Sequence, residues 1–81
     1  MNVIKVLGAE VSIASANSVN NATLVRVINT GAAAVLNIAY ANSTVYANCT
    51  ITNTEIVAIQ KNSTDLLTGA NMKGAPIAFG N

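Results

Sequence analysis

The clearest pattern in this chain is an alternation of apolar and polar residues over positions 44–52. The apolar positions are Val45, Ala47, Cys49 and Ile51. A period of two residues is typical of a β-strand with one buried face. We therefore predict a strand here, with Cys49 as a small buried hydrophobe and Tyr46 on the solvent side.

Two pairs of apolar segments predict hairpins. Residues 2–7 and 10–13 both alternate, and Gly8 marks a turn between them, so we expect them to pair with each other. Residues 23–28 are almost continuously apolar or β-branched, and residues 32–40 resume this pattern after the break at Asn29-Thr-Gly31. Because the alanine run at the start of the second segment is too short to nucleate a helix, we predict a second hairpin centred near Gly31.

The remaining elements follow from shorter signals. Residues 41–43 form a turn into the alternating strand, and residues 55–60 are apolar on both faces, which predicts a central or covered strand. Residues 63–67 allow one short helical turn. Residues 76–79 predict a last strand, and because Pro76 has no N–H we expect it at a sheet edge or at the beginning of a strand.

This gives seven or eight short antiparallel strands, separated by roughly eight to twelve residues. We predict an all-β fold, with residues 1–81 forming a single small β-sandwich or barrel. Asparagines recur along the chain, but their spacing is too uneven for a stacked β-solenoid.

Composition limits the partners. Charged residues are 9% of the chain and nearly cancel, at a formal net charge of +1, whereas hydrophobic residues are 52%. Nucleic-acid binding relies on several basic groups, and the cations here are scattered, so we expect no DNA or RNA partner. No apolar run reaches the length of a membrane helix, and residues 1–5 do not resemble a signal peptide, so we expect no membrane association.

The chain has few groups that carry reactions. It has no histidine and only three acidic residues, which are Glu10, Glu55 and Asp65, and we expect these to be solvated surface charges. Cys49 has no second cysteine for a disulfide and no histidine to activate it. Because no phosphate-binding glycine loop or calcium loop is present, we predict no enzymatic activity, no cofactor and no metal.

An excess of apolar side chains is therefore the main functional signal. Val25 and Val27 alternate with Leu24 and Ile28, so residues 23–28 carry apolar side chains on both faces. One face meets the core, and the other must be covered by a second sheet, a symmetry mate or a different protein.

The candidate partner-interface residues are Arg26, Tyr46 and Phe79. Arg26 either points to an edge, forms an ion pair or contacts a partner. An exposed Tyr46 would anchor a partner or a sugar, or pack against a cross-strand neighbour.

Three segments, residues 21–39, 53–69 and 74–80, resemble small β-rich virion structural proteins of marine tailed bacteriophages, notably those that infect cyanobacteria. The resemblance rests on Leu-Val-Arg-Val-Ile-Asn-Thr-Gly, on the Glu-Ile-Val strand that ends at Lys61 with Thr64-Asp65 after it, and on the closing Pro-Ile-Ala-Phe. Together these segments cover about half of the chain.

This resemblance implies a non-enzymatic structural subunit of a phage virion, assembled in the bacterial host cytoplasm and present as a homo-oligomer or bound to a lattice. Within that class we expect a capsid decoration or cement protein that binds the major capsid protein. The alternatives are a neck, tail or fibre component, and, in a different functional class, a carbohydrate-binding module that uses Tyr46.

Overall fold

The structure is a computed structural model that describes residues 3–80, with the backbone alone at 79 and 80. It confirms the predicted all-β class, because the described residues form eight strands and no helix. The strands are β1 (Val3–Val6), β2 (Val11–Ser12), β3 (Leu24–Asn29), β4 (Ala34–Ala39), β5 (Val45–Ile51), β6 (Ile56–Gln60), β7 (Leu66–Thr68) and β8 (Met72–Gly80). Within this part of the chain, nothing has the length and apolarity of a membrane-spanning helix.

The strands form two antiparallel sheets. In the larger sheet β8 pairs with β3 on one side and with both β1 and β2 on the other, and β3 also pairs with β6. In the smaller sheet β4 lies between β5 and β7. An isolated bridge between Asn17 and Leu67 extends the smaller sheet beyond β7.

This strand order is that of a jelly roll, a double Greek key of two packed sheets. In that arrangement the first strand pairs with the eighth, the eighth with the third and the third with the sixth, as observed here. The other sheet joins the second strand to the seventh, the seventh to the fourth and the fourth to the fifth. In this protein β2 pairs with β8 instead, and the one-residue bridge between Asn17 and Leu67 takes the place of the second strand beside β7.

The core lies between the sheets. Val25 and Val27 enter it from β3, and the alternation of buried and half-buried residues along β3 is the expected two-residue period. The fully buried apolar cluster consists of Ile13, Val19, Val25, Val27, Leu36, Ile51, Leu67 and Met72. These are mostly medium-sized aliphatic side chains, which matches a thin sandwich.

The predicted hairpin at Gly31 is wrong, because β3 and β4 belong to different sheets. The amide of buried Asn29 fixes this crossover. Its Nδ2 donates to the carbonyl oxygens of Ala32 at 3.0 Å and Ile51 at 2.8 Å, while its Oδ1 accepts from Gly31 N at 2.8 Å. A Cβ at Gly31 would lie 2.7 Å from the side chain of Asn71, so a larger residue does not fit at the crossover.

The predicted first hairpin is also wrong, because β1 and β2 do not pair with each other. They lie one after the other along the same edge of β8, with Val6 opposite Ile77 and Val11 opposite Gly74. The residue that separates them is Pro76: Leu7 N donates to Pro76 O at 2.8 Å, but Pro76 has no N–H to return. The hydrogen-bond ladder along this side of β8 is interrupted at Pro76. Pro76 nevertheless lies in the middle of β8, opposite Val25 of β3, so the prediction that it lies at a sheet edge or at the beginning of a strand is wrong. Asn2, predicted as the start of the first strand, lies outside the described residues.

Three smaller predictions need correction. Among the described residues, strand β6 pairs only with β3, so it is an edge strand and not a central one. It is not covered on both faces either, because Ile56, Ala58 and Gln60 are exposed. The helical turn expected over 63–67 is wrong, because residues 62–65 form a tight turn closed by Asp65 N donating to Asn62 O at 3.0 Å, and strand β7 begins at Leu66. Cys49 is exposed rather than buried, because β5 is the edge of the smaller sheet and most of its residues are exposed. The alternating strand itself and the turn at 41–43 are confirmed.

Candidate binding surfaces

Two tyrosines stack on each other at one end of the smaller sheet. The β4–β5 hairpin brings them together, because Tyr40 follows the last residue of β4 and Tyr46 is the second residue of β5. Tyr40 N donates to Thr44 O at 2.9 Å, and Ser43 N donates to Tyr40 O at 2.8 Å, which closes the turn. The ring centroids are 4.4 Å apart, and the side chains remain 50% and 43% exposed. The predicted exposure of Tyr46 is confirmed, although its packing partner is Tyr40.

A nearly buried carboxylate orients this pair. Asp65, which precedes β7, is 3% exposed, so the expectation that it is a solvated surface charge is wrong. Its Oδ2 accepts hydrogen bonds from the Tyr46 hydroxyl at 2.5 Å and from Asn62 N at 3.3 Å. Because the neutral hydroxyl donates to an anion, the pKa of Tyr46 rises to about 12.

Lys61 is the other buried ionisable residue at this end, at 6% exposed. Its Nζ donates to the carbonyl oxygens of Asn62 at 3.3 Å and Ser63 at 3.2 Å, and its backbone N donates to Thr23 O at 2.9 Å. Desolvation lowers the pKa of Lys61, and the charge of Asp65 opposes that shift. The segment 61–65 therefore contains one buried cation and one buried anion, and the anion holds Tyr46.

A groove of about 510 Å³ lies between residues 20–24 and residues 76–78 of β8. Its rim is a type I′ turn, in which Asn20 and Asn21 have φ of 57° and 55° and Ala22 N donates to Val19 O at 3.2 Å. Asparagine tolerates this conformation, but Val19 also has a positive φ, of 54°, which is strained for a β-branched residue. Complete burial of the Val19 side chain holds it in place.

The outer face of the larger sheet is mainly apolar. We use this name for the side of the larger sheet that points away from the core. The register places on it the side chains of Ile4, Val6, Ser12, Leu24, Arg26, Ile28, Ile56, Ala58, Gln60, Lys73, Ala75 and Ile77. Val6 is 61% exposed, Ile56 51% and Ile4 41%, so large aliphatic groups at both edges of this face contact water.

The outer face of the smaller sheet differs in character. On this face Asn37 of β4 lies opposite Asn48 of β5 and Thr68 of β7, and Val35 of β4 lies opposite Thr50 of β5. Of these, only Val35 is a large exposed hydrophobic residue. At these positions the smaller sheet is more polar than the larger one, while its hairpin end exposes Tyr40, Val45 and Tyr46. The outer face of the larger sheet is the more continuous apolar surface and the better docking surface.

Arg26 lies on the apolar outer face, in the middle of the larger sheet. Its guanidinium Nη1 is 3.8 Å from Oε2 of Glu10, which confirms the predicted ion pair and not the edge position. Arg26 is paired with Ala75, so the ion pair crosses above a small residue of β8. Phe79, the third predicted interface residue, lies in β8, but its side chain falls outside what the structure describes.

The structure keeps the acidic side chains apart. Glu10 pairs with Arg26, Glu55 Oε1 accepts from Thr52 N at 2.9 Å, and Asp65 holds Tyr46. The described residues contain no group of three or more side chains suited to hold a metal ion. No protein-family model, curated protein or solved structure matches this chain.

Sequence reasoning missed Tyr40, Lys61 and Asp65 as members of one site. The predicted turn at 41–43 carried a usable signal for Tyr40, because a tight hairpin places its flanking residues side by side. The burial of Lys61 and Asp65 had no local signal, since it depends on how the segment between β6 and β7 crosses from one sheet to the other.

Proposed function

We propose that this chain is a non-enzymatic structural subunit of a phage virion, and that it acts as a capsid decoration protein on the major capsid protein lattice. The resemblance of residues 21–39, 53–69 and 74–80 to small virion proteins of marine tailed phages is the basis for the phage assignment. The jelly-roll strand order is compatible with it, since viral capsid domains use this fold, but lectin domains use it as well.

The observation that carries the adhesive role is the apolar outer face of the larger sheet. Ile4, Val6 and Ile56 expose 41% or more of their surface on a chain with only 9% charged residues. Burying the exposed part of one such side chain contributes roughly 1 kcal/mol. A single contact of this kind is weak, but many copies on a repeated lattice bind with high combined strength.

In this mechanism the outer face packs against neighbouring subunits and excludes water, while the polar outer face of the smaller sheet stays in solvent. The half-buried Arg26 lies within the contact, where arginine is enriched in protein interfaces. A neck, tail or fibre subunit would use the same face with a different partner. The number of copies of this chain per particle distinguishes such a subunit from a decoration protein on the capsid surface.

The test is co-sedimentation of the purified chain with empty capsids of a tailed cyanobacterial phage. Val6→Lys and Ile56→Lys each place a charge on the apolar outer face, at positions 61% and 51% exposed. Val35→Lys is the matched control, because it is 47% exposed on the other outer face.

The proposal predicts that the parent chain and Val35→Lys pellet with capsids, whereas Val6→Lys and Ile56→Lys stay in the supernatant. All three substitutions are at exposed sites, so we expect the fold to stay intact, which circular dichroism checks. If no form of the chain binds capsids, or if Val35→Lys weakens binding as much as the other two, the proposed function is wrong.

A further inference from the structure

Two of the chain's three aromatic residues form one exposed surface, although the core is made almost entirely of aliphatic side chains. Tyr40 and Tyr46 contact each other at 4.4 Å between centroids and remain about half exposed. The Tyr40 hydroxyl has no hydrogen-bond partner among the described residues, so at 50% exposure it is free to bond water or a ligand. A rigid aromatic surface left in water is a common element of ligand sites.

The polar part of this surface is organised in advance. Asp65 holds the Tyr46 hydroxyl through Oδ2, which fixes the orientation of the ring. Its Oδ1 accepts no hydrogen bond from the described residues, and no buried side-chain oxygen or nitrogen among them lacks a partner. Oδ1 is therefore not completely enclosed, although Asp65 as a whole is 3% exposed, and it offers an acceptor beside the aromatic rings through a narrow opening.

The charges at the site favour a neutral ligand. The buried carboxylate of Asp65 disfavours an anion, and the nearby ammonium of Lys61 offsets the attraction that Asp65 alone would exert on a cation. A pyranose is neutral, its C–H face stacks on aromatic rings, and its hydroxyls donate to carboxylate and phenolic oxygens.

We propose that Tyr40, Tyr46 and Asp65 form a binding site for a neutral pyranose of an oligosaccharide. One sugar face lies on the tyrosine pair, and a ring hydroxyl donates to Asp65 Oδ1. This site lies at one end of the smaller sheet, away from the apolar outer face of the larger sheet. Sugar binding is thus separate from lattice binding, and either property can fail without the other.

The test is NMR titration of the full chain with cellohexaose and maltohexaose as neutral probes, with trilysine and dextran sulfate as cationic and anionic comparators. We expect millimolar binding of at least one neutral probe, with shifts in residues 40–46 and 62–66. Tyr40→Ala should weaken that binding by about tenfold or more, because the ring is lost while no hydrogen bond of the fold is broken.

Tyr40→Phe is the matched variant, since it keeps the ring and should retain most of the affinity. Val35→Ala, on the same sheet but away from the site, should bind as the parent does. Absence of binding to both neutral probes overturns the proposal, and so does equal binding by Tyr40→Ala. Binding of trilysine or dextran sulfate in preference to the neutral probes also overturns it, because the site would then select charge.

Discussion

Replacing Asn29 with aspartate, which exchanges the side-chain NH2 for an oxygen, should strongly destabilise the protein. The side chain is completely buried, and Nδ2 donates to both Ile51 O and Ala32 O. In Asn29→Asp the acceptor bond from Gly31 N survives, but an oxygen replaces the donor and faces two carbonyl oxygens. Two hydrogen bonds are lost and a buried charge is created.

The expected magnitude follows from those losses. Each lost hydrogen bond costs about 1 kcal/mol, and the unsatisfied carbonyls with the desolvated carboxylate add about 1 to 3 kcal/mol. The free energy of unfolding should fall by about 3 to 5 kcal/mol, which is a large part of the roughly 4 to 12 kcal/mol expected for a chain of 81 residues. Urea denaturation followed by far-ultraviolet circular dichroism measures this difference.

The defect should also depend on pH. Burial opposite carbonyl oxygens raises the pKa of the new carboxyl above its unfolded value of about 3.9. The folded variant then binds more protons than the unfolded one, so its deficit relative to the parent should shrink as the pH falls from about 7 to about 4. Asn53→Asp, at an exposed turn, is the control and should change stability by less than about 0.5 kcal/mol. If Asn29→Asp is as stable as this control at neutral pH, the proposed role of Asn29 is refuted.

Two further predictions concern Tyr46 and Gly74. Absorbance titration should show Tyr46 ionising at about pH 12, so its hydrogen bond to Asp65 persists below about pH 10 and is lost as the pH rises through about 12. Asp65→Asn should move the pKa of Tyr46 toward the ordinary tyrosine value. An unchanged titration in this variant would contradict the assigned hydrogen bond. Gly74→Ala should lower the free energy of unfolding by about 1 to 3 kcal/mol, because its Cβ would lie 3.0 Å from Val25 Cγ1 in a packed core. Thermal unfolding measures this change, and a variant as stable as the parent would contradict it.

The sequence predicted what depends on local pattern. The alternation over 44–52 gave β5, and the polar residues 41–43 gave its hairpin, because both signals act between near neighbours. The crossover at Gly31 was missed because residues 23–28 and 32–40 are equally apolar whether they pair with each other or enter separate sheets. The choice is made by the amide of Asn29, whose partner Ile51 O lies far away in sequence.

The candidate sites show the same limit. The exposure of Tyr46 followed from alternation, and the Arg26 ion pair was among the alternatives considered. The burial of Asp65 beside Tyr46 depends on the order of strands in two sheets, which no local pattern contains. The exposure of Cys49 likewise depends on β5 being an edge strand.

Site-specific thiol labelling on assembled particles tests the central claim most directly. In a Cys49→Ser background, which removes the exposed native thiol, Ile56→Cys places a thiol on the apolar outer face and Val35→Cys places one on the opposite face. Both should react with a maleimide in the free chain, because both positions are about half exposed. On the particle we predict that Ile56→Cys becomes protected while Val35→Cys still reacts, and equal labelling of the two would contradict the account.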